Sequence, residues 1–135
     1  MCGIVGIIGK KEAYIDVLEG LKKLEYRGYD SSGLAYIFDK ELNHIKSVGK
    51  LSELIKKIDK LDKSNLKLSN ISIGHTRWAT HGKVDLKNAH PIISNKKTAV
   101  VHNGIIKNYK NLKKDLLKKN YIFESSTDTE VIPHL

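Results

Sequence analysis

Met1-Cys2-Gly3-Ile4-Val5-Gly6-Ile7-Ile8-Gly9 opens the chain. Its apolar run Ile4–Ile8, spaced by Gly3, Gly6 and Gly9, reads as a buried strand that lets other backbone approach closely. Directly before that strand stands Cys2, the only cysteine of the 135 residues. Aminopeptidases remove a starting methionine when the next residue is small, and Cys2 then becomes the mature N-terminus. Such a residue carries a thiol, with a reference pKa of about 8.5, and a free α-amine, of about 8, on one Cα. It can hold both a nucleophile and its base, as threonine nucleophiles do with their own terminal amine. The same cysteine also reads as a small apolar residue at the start of a strand, so the rest of the chain has to decide.

Outward from this strand the pattern alternates helices with strands. Glu12 to Leu24 has a helical period through Tyr14, Val17, Leu18 and Leu21, with acids in its first turns. Tyr26–Gly33 is dense in Gly, Ser, Asp and Tyr and reads as a loop. Leu34–Phe38 and His44–Val48 read as strands joined by a polar turn at Asp39–Asn43. Leu51–Leu61 is a short surface helix, and the polar stretch Asp62–Asn70 a loop. Ile71–His75 reads as a strand running into Thr76–Gly82. Lys83–Lys97 has no long periodic segment, and loops of that length are often functional. Thr98–His102 reads as a strand ending in the turn signal Asn103-Gly104. Ile106–Lys119 is an amphipathic helix, Tyr121–Phe123 a short strand, and Ser125–Glu130 a helix start with several cap candidates. No helix stop follows before Leu135, so the sequence is expected to be part of a longer domain.

Composition bounds the function. Apolar residues make up 40% and charged residues 29% of the chain, as in ordinary globular domains of this size. No apolar run reaches the roughly 18 residues of a membrane span, and no basic region precedes Ile4–Ile8 as in a secretory signal. A single cysteine forms no internal disulfide, which suggests a reducing compartment. The net charge of +9 comes almost wholly from lysines spread along amphipathic stretches, with few aromatics between them. That favours a solvated basic face over a nucleic-acid reader, which leans on arginine and stacking platforms.

Among 24 basic residues only Arg27 and Arg77 are arginine. A guanidinium grips a carboxylate bidentately as an ammonium cannot, so both positions invite a specific reason. Cys2-Gly3, Arg27–Gly33, Thr76–Gly82 and His102–Gly104 each follow a strand or loop, where sites are commonly built. Together they offer a nucleophile, an anion receptor and oxyanion donors, and Thr127–Glu130 adds an acid. Two rival chemistries remain open at this level. His75, His81, His90 and His102 could gather around a metal, although their spacing matches no helical metal pair. His81 or His102 could pair with Cys2 as in thiol proteases, although no local signature of that kind surrounds the cysteine.

Six segments in order carry a closer likeness: Cys2–Gly6, Glu25–Gly33, Gly74–Gly82, Asn88–Pro91, Val101–Ile106 and Asp128–Glu130. With them the chain resembles the N-terminal glutaminase domain of the glutamine–fructose-6-phosphate aminotransferases, class II glutamine amidotransferases of the N-terminal-nucleophile hydrolase family. The resemblance implies that Cys2 attacks the side-chain amide of L-glutamine, with its α-amine as base. Asn103 and the Gly104 backbone N–H would form the oxyanion hole. Arg77 would receive the α-carboxylate and Asp128 the α-ammonium. Trp78, Thr80 and His81 would lie on a loop covering the glutamine, and Arg27 and His102 would support the site. Trp78 also reads as core, His81 and His102 as residues that only hold backbone groups, and Asp128 as a helix cap.

The fold so implied is α+β, a four-layer αββα sandwich of which residues 2–135 supply the first part. The resemblance further implies no metal and no organic cofactor, a cytoplasmic location, and a homodimer when full length. Fructose 6-phosphate would bind to C-terminal sugar-phosphate isomerase domains absent from this chain; neither nucleic acid nor a membrane would be a partner. The alternatives are an inactive truncated fragment or basic interaction module and, among enzymes, the glutaminase domain of an amidophosphoribosyltransferase or asparagine synthetase. Tyr26–Ser31 and Arg77–Gly82 favour the sugar-phosphate enzyme. Pro133 departs from the family pattern, because it falls where the last helix normally continues, and an interior helical proline costs about 3 kcal/mol outside the first turn.

Overall fold

The computed structural model describes residues 2–79 and 83–135. Its centre is a four-stranded antiparallel sheet of β1 (Gly3–Ile8), β2 (Ser31–Phe38), β3 (Glu41–Val48) and β4 (Ile71–Arg77) in the spatial order β1-β4-β2-β3. β4 is paired on both sides, with Gly3 opposite Thr76 and Ser31 opposite Arg77.

Helices α1 (Ala13–Leu24), α2 (Leu51–Asp59) and α3 (Ser64–Leu68) cover one face of the sheet. The period read in the sequence puts Val17 and Leu21 of α1 and Leu54 and Ile58 of α2 on that face. They form the core with Leu34, Leu51 and Leu66. Because side chains alternate along a strand, Gly33, His75 and Arg77 turn to the opposite face. There His90 and Pro91 lie against the sheet, leading into a second, two-stranded ribbon of β5 (Ile92–Ser94) and β6 (Thr98–Val100). Helices α4 (Tyr109–Lys118) and α5 (Val131–His134) follow, the latter preceded by a 3-10 turn at Asp128–Glu130. The fold is α+β.

Four local expectations change. Ser31-Ser32-Gly33, read as loop, is the start of the inner strand β2. Its small residues serve close packing, because a Cβ on Gly33 would stand 2.1 Å from the His90 carbonyl oxygen. Asp62–Asn70, read as loop, contains α3: the Asp62 side chain accepts from the Ser64 backbone N–H at 2.9 Å, and Leu66 is buried in the core. The β-prone run Tyr121–Phe123 forms no strand; there Phe123 meets the Lys113 ammonium 4.6 Å from its ring centre and packs edge-on against His134. Pro133 is the third residue of α5 and does not end the helix, which runs on to His134 from the 3-10 turn at Asp128–Glu130.

Candidate active site

Cys2 stands one residue before β1, and the pairing of Gly3 with Thr76 carries it to the end of β4. There the Trp78 backbone N–H donates to the cysteine sulfur at 3.4 Å, and the sulfur lies 3.9 Å from the Trp78 carbonyl oxygen. A narrow cleft opens at this point, lined by Cys2, Arg77, Trp78, Asn103, Gly104 and Asp128, with His102 beside them. Residues from the N-terminus, the end of β4, the loop after β6 and the 3-10 turn at Asp128 thus converge on one place.

Each is held by its own element. Arg77, the last residue of β4, is 5% exposed, and its Nη1 donates to the Lys83 carbonyl at 3.3 Å. Trp78 is 44% exposed and packs edge-on against Tyr29, ring centres 5.2 Å apart; it is a surface side chain and not core. Asp30 ties the same corner together, its carboxylate accepting from the Ala79 backbone N–H and the Ser31 hydroxyl. Asn103 and Gly104 are exposed at the cleft rim. A Cβ at Gly104 would meet His102 Nε2 at 2.8 Å, so any other residue there would have to push the His102 ring aside. His102 Nδ1 is hydrogen-bonded to the Thr129 hydroxyl at 3.1 Å.

Asp128 does not cap the helix that it opens. Its Oδ2 accepts from the Ile106 backbone N–H at 2.6 Å and so fastens the Asn103-Gly104 loop to the 3-10 turn. Arg27 lies in the 3-10 turn Glu25–Arg27 after α1, half-buried and outside the residues lining the cleft. Thr80 and His81 lie outside the described residues.

Two features were not legible in the sequence. His90 lines the cleft and is hydrogen-bonded through Nδ1 to His75 Nε2 at 3.1 Å. Burial, reinforced for His90 by the neighbouring His75, pushes the two rings down to about 4 for His75 and about 2 for His90, so both are neutral at pH 7. The second is a buried carboxylate, Glu130, which accepts from the Glu124 backbone N–H at 2.7 Å and from the backbone N–H and hydroxyl of Ser125 at 2.8 and 2.6 Å. An acid in the first turn reads from sequence as a dipole partner; that it looks backward to its own preceding loop is a tertiary fact. Among the described residues no three His, Cys, Asp or Glu side chains gather as a metal site.

Known proteins share this arrangement of sequence and backbone. A model of the glutamine amidotransferase domain matches residues 59–135. The glutamine–fructose-6-phosphate aminotransferase (isomerizing) of Buchnera aphidicola is 54% identical over 136 residues, and that of Pyrococcus horikoshii 52%. In both cases the match covers 100% of this chain and 22% of the relative. The chain therefore spans about a fifth of the length of these relatives. The glutamine phosphoribosylpyrophosphate amidotransferase of B. subtilis superposes with a TM-score of 0.79 at 31% identity, covering 99% of this chain and 29% of that one. An allosteric regulatory enzyme of purine biosynthesis superposes at 0.81 and 32% identity, with the same coverage. With the domain match running over more than half its length, the chain belongs to the glutamine amidotransferase family.

Proposed function

We propose that residues 2–135 are the leading part of a glutaminase domain that hydrolyses L-glutamine to glutamate and ammonia through a thioester on Cys2. The observation that carries this reading is the convergence of Cys2, Arg77, Asn103, Gly104 and Asp128 on one cleft from four separate segments. The Cys2 sulfur attacks the side-chain carbonyl carbon of glutamine. The developing oxyanion is received by the Asn103 side chain and the Gly104 N–H, a type of donor that contributes about 3–4 kcal/mol each. The α-amine of the processed N-terminus takes the thiol proton and passes it to the departing nitrogen, so the C–N bond breaks and ammonia leaves. Water then attacks the thioester, and glutamate and the free thiol are regenerated. Arg77 holds the α-carboxylate and Asp128 the α-ammonium. Trp78, Thr80 and His81 cover the bound glutamine, His102 braces the oxyanion loop, and Arg27 supports the site from behind.

The acceptor of the ammonia would be fructose 6-phosphate, bound by C-terminal domains of a longer, cytoplasmic and homodimeric protein, giving glucosamine 6-phosphate. The identity above 50% over the whole chain with the aminotransferases supports this acceptor, against 31% and 32% for the two solved structures. The test is labelling of full-length protein with an electrophilic glutamine analogue, followed by peptide mapping. One adduct on Cys2 of a chain without Met1 is expected, blocked by excess glutamine. Cys2→Ala should abolish glutamate release while leaving ammonia-dependent acceptor chemistry. Glutamine turnover retained by that variant would sink the assignment.

A further inference from the structure

Asn88 opens the segment Asn88–Pro91 and takes no part in the mechanism above. It is 4% exposed, and both ends of its amide are used. Nδ2 donates to the Lys83 carbonyl at 2.9 Å. Oδ1 accepts from the Ser126 backbone N–H at 2.9 Å and from the Ser126 hydroxyl at 3.2 Å. One backbone partner is a carbonyl and the other an N–H, so the amide has a single compatible orientation. The Lys83 carbonyl is the one to which Arg77 Nη1 donates. Ser126 lies two residues before Asp128, at the end of the stretch that Glu130 clamps from the other side. A single buried side chain therefore bridges the segment touching Arg77 and the segment leading to Asp128.

We propose that Asn88 is a positioning residue that sets the separation between the Arg77 guanidinium and the Asp128 carboxylate, and thereby selects ligands carrying a carboxylate and an ammonium on one carbon. The inference rests on the roles proposed above for Arg77 and Asp128. An α-amino acid presents its two charges at a fixed separation. Two receptors on different segments recognise it only if their spacing is held before binding, since a loosely held pair loses the gain of two-point contact. A carboxamide suits the bridge because it donates at one end and accepts at the other. An aspartate would keep the Ser126 contact and set a negative oxygen against the Lys83 carbonyl. A glutamine would be one methylene too long for a well-packed site.

The test compares full-length wild type with Asn88→Asp on two ligands: L-glutamine, and glutaramate, which keeps the amide and carboxylate but lacks the α-ammonium. For Asn88→Asp the KM for glutamine should rise about tenfold, from one lost buried hydrogen bond. The glutaramate inhibition constant should change by less than about twofold, because a single-point ligand does not read the spacing. Alkylation of Cys2 by iodoacetamide at the wild-type rate shows that the cleft end is intact. Should Asn88→Asp not fold, Asn88→Ser, which shortens the bridge without adding charge, is measured for the same ratio. Equal losses for the two ligands, or none for either, overturn the inference. A wild-type protein that neither turns over glutamine nor takes the glutamine-like label overturns the functional reading beneath it instead.

Discussion

Arg77 shows how one residue joins fold and site. Its backbone closes the last pair of the β2–β4 ladder, while its side chain reaches past the strand into the cleft and the Lys83 carbonyl. Arg77→Lys would retain the charge and lose the planar fork. The expected outcome is a rise of about 10-fold to 100-fold in the KM for glutamine with a smaller change in kcat, read from steady-state glutamate release. An unchanged KM would assign Arg77 to structure alone. This residue was legible in the sequence because arginine is so scarce in a chain rich in lysine. Asn88 was not, because a buried asparagine and a turn asparagine look alike until the partners of its amide are known. Nor was the meeting of His75 with His90, which are fifteen positions apart and joined only by the return of the chain across the sheet.

At the scale of elements, apolar runs and periodicity located α1, α2, β1 and β4 to within two residues, although β1, read as buried, is an edge strand with Ile4 and Ile8 exposed. They failed where burial and composition part company. Ser31-Ser32-Gly33 has the composition of a turn yet lies in a strand flanked on both sides, since only small residues fit under the His90 carbonyl. The β2–β3 hairpin was legible, but its turn is only Asp39-Lys40, since Glu41–Asn43, read as turn, belong to β3; and that turn is built against the grain. Asp39 and Lys40 both have left-handed backbone, at φ 47° and 65°, in the two-residue connection where Asn-Gly is the preferred pair. Lys40→Gly should therefore stabilise the folded chain by about 0.5–1 kcal/mol, seen as a higher urea midpoint with unchanged slope. A lower midpoint would show that the Lys40 side chain contributes more than its backbone costs.

The whole molecule carries a pH dependence set by its buried imidazoles. His75 and His90 have folded values of about 4 and about 2 against an ordinary 6.5, with burial the main cause. The unfolded chain therefore binds more protons than the folded one below pH 6.5, and stability falls as pH falls. The loss begins near pH 6.5 and continues to about pH 4 for His75 and further for His90. Each ring contributes at most about 1.4 kcal/mol per pH unit across its window. Urea midpoints measured between pH 7.5 and 4.5 should decline below about pH 6.5, and a phenylalanine at position 90 should flatten the decline. A flat profile in the unaltered protein would mean that the pair is hydrated in solution. The charge of +9, legible in composition from the start, bears on solubility, and the nearby cations Arg77 and Lys46 add to the lowering of His90.

The pairing of β1 with β4 also sets an order of events in time. The strand that follows Cys2, the proposed nucleophile, is made first, and its hydrogen-bonding partner lies 73 positions later, Gly3 against Thr76. At typical synthesis speeds of about 5–20 residues per second, the nascent N-terminus waits on the order of 4–15 s before β4 exists to receive it. During that interval β1 has no β4 to pair with. Once the ladder closes, Cys2 is drawn against Trp78 and access narrows. Removal of Met1, which the proposed chemistry requires, thus has its opportunity before β1 and β4 pair.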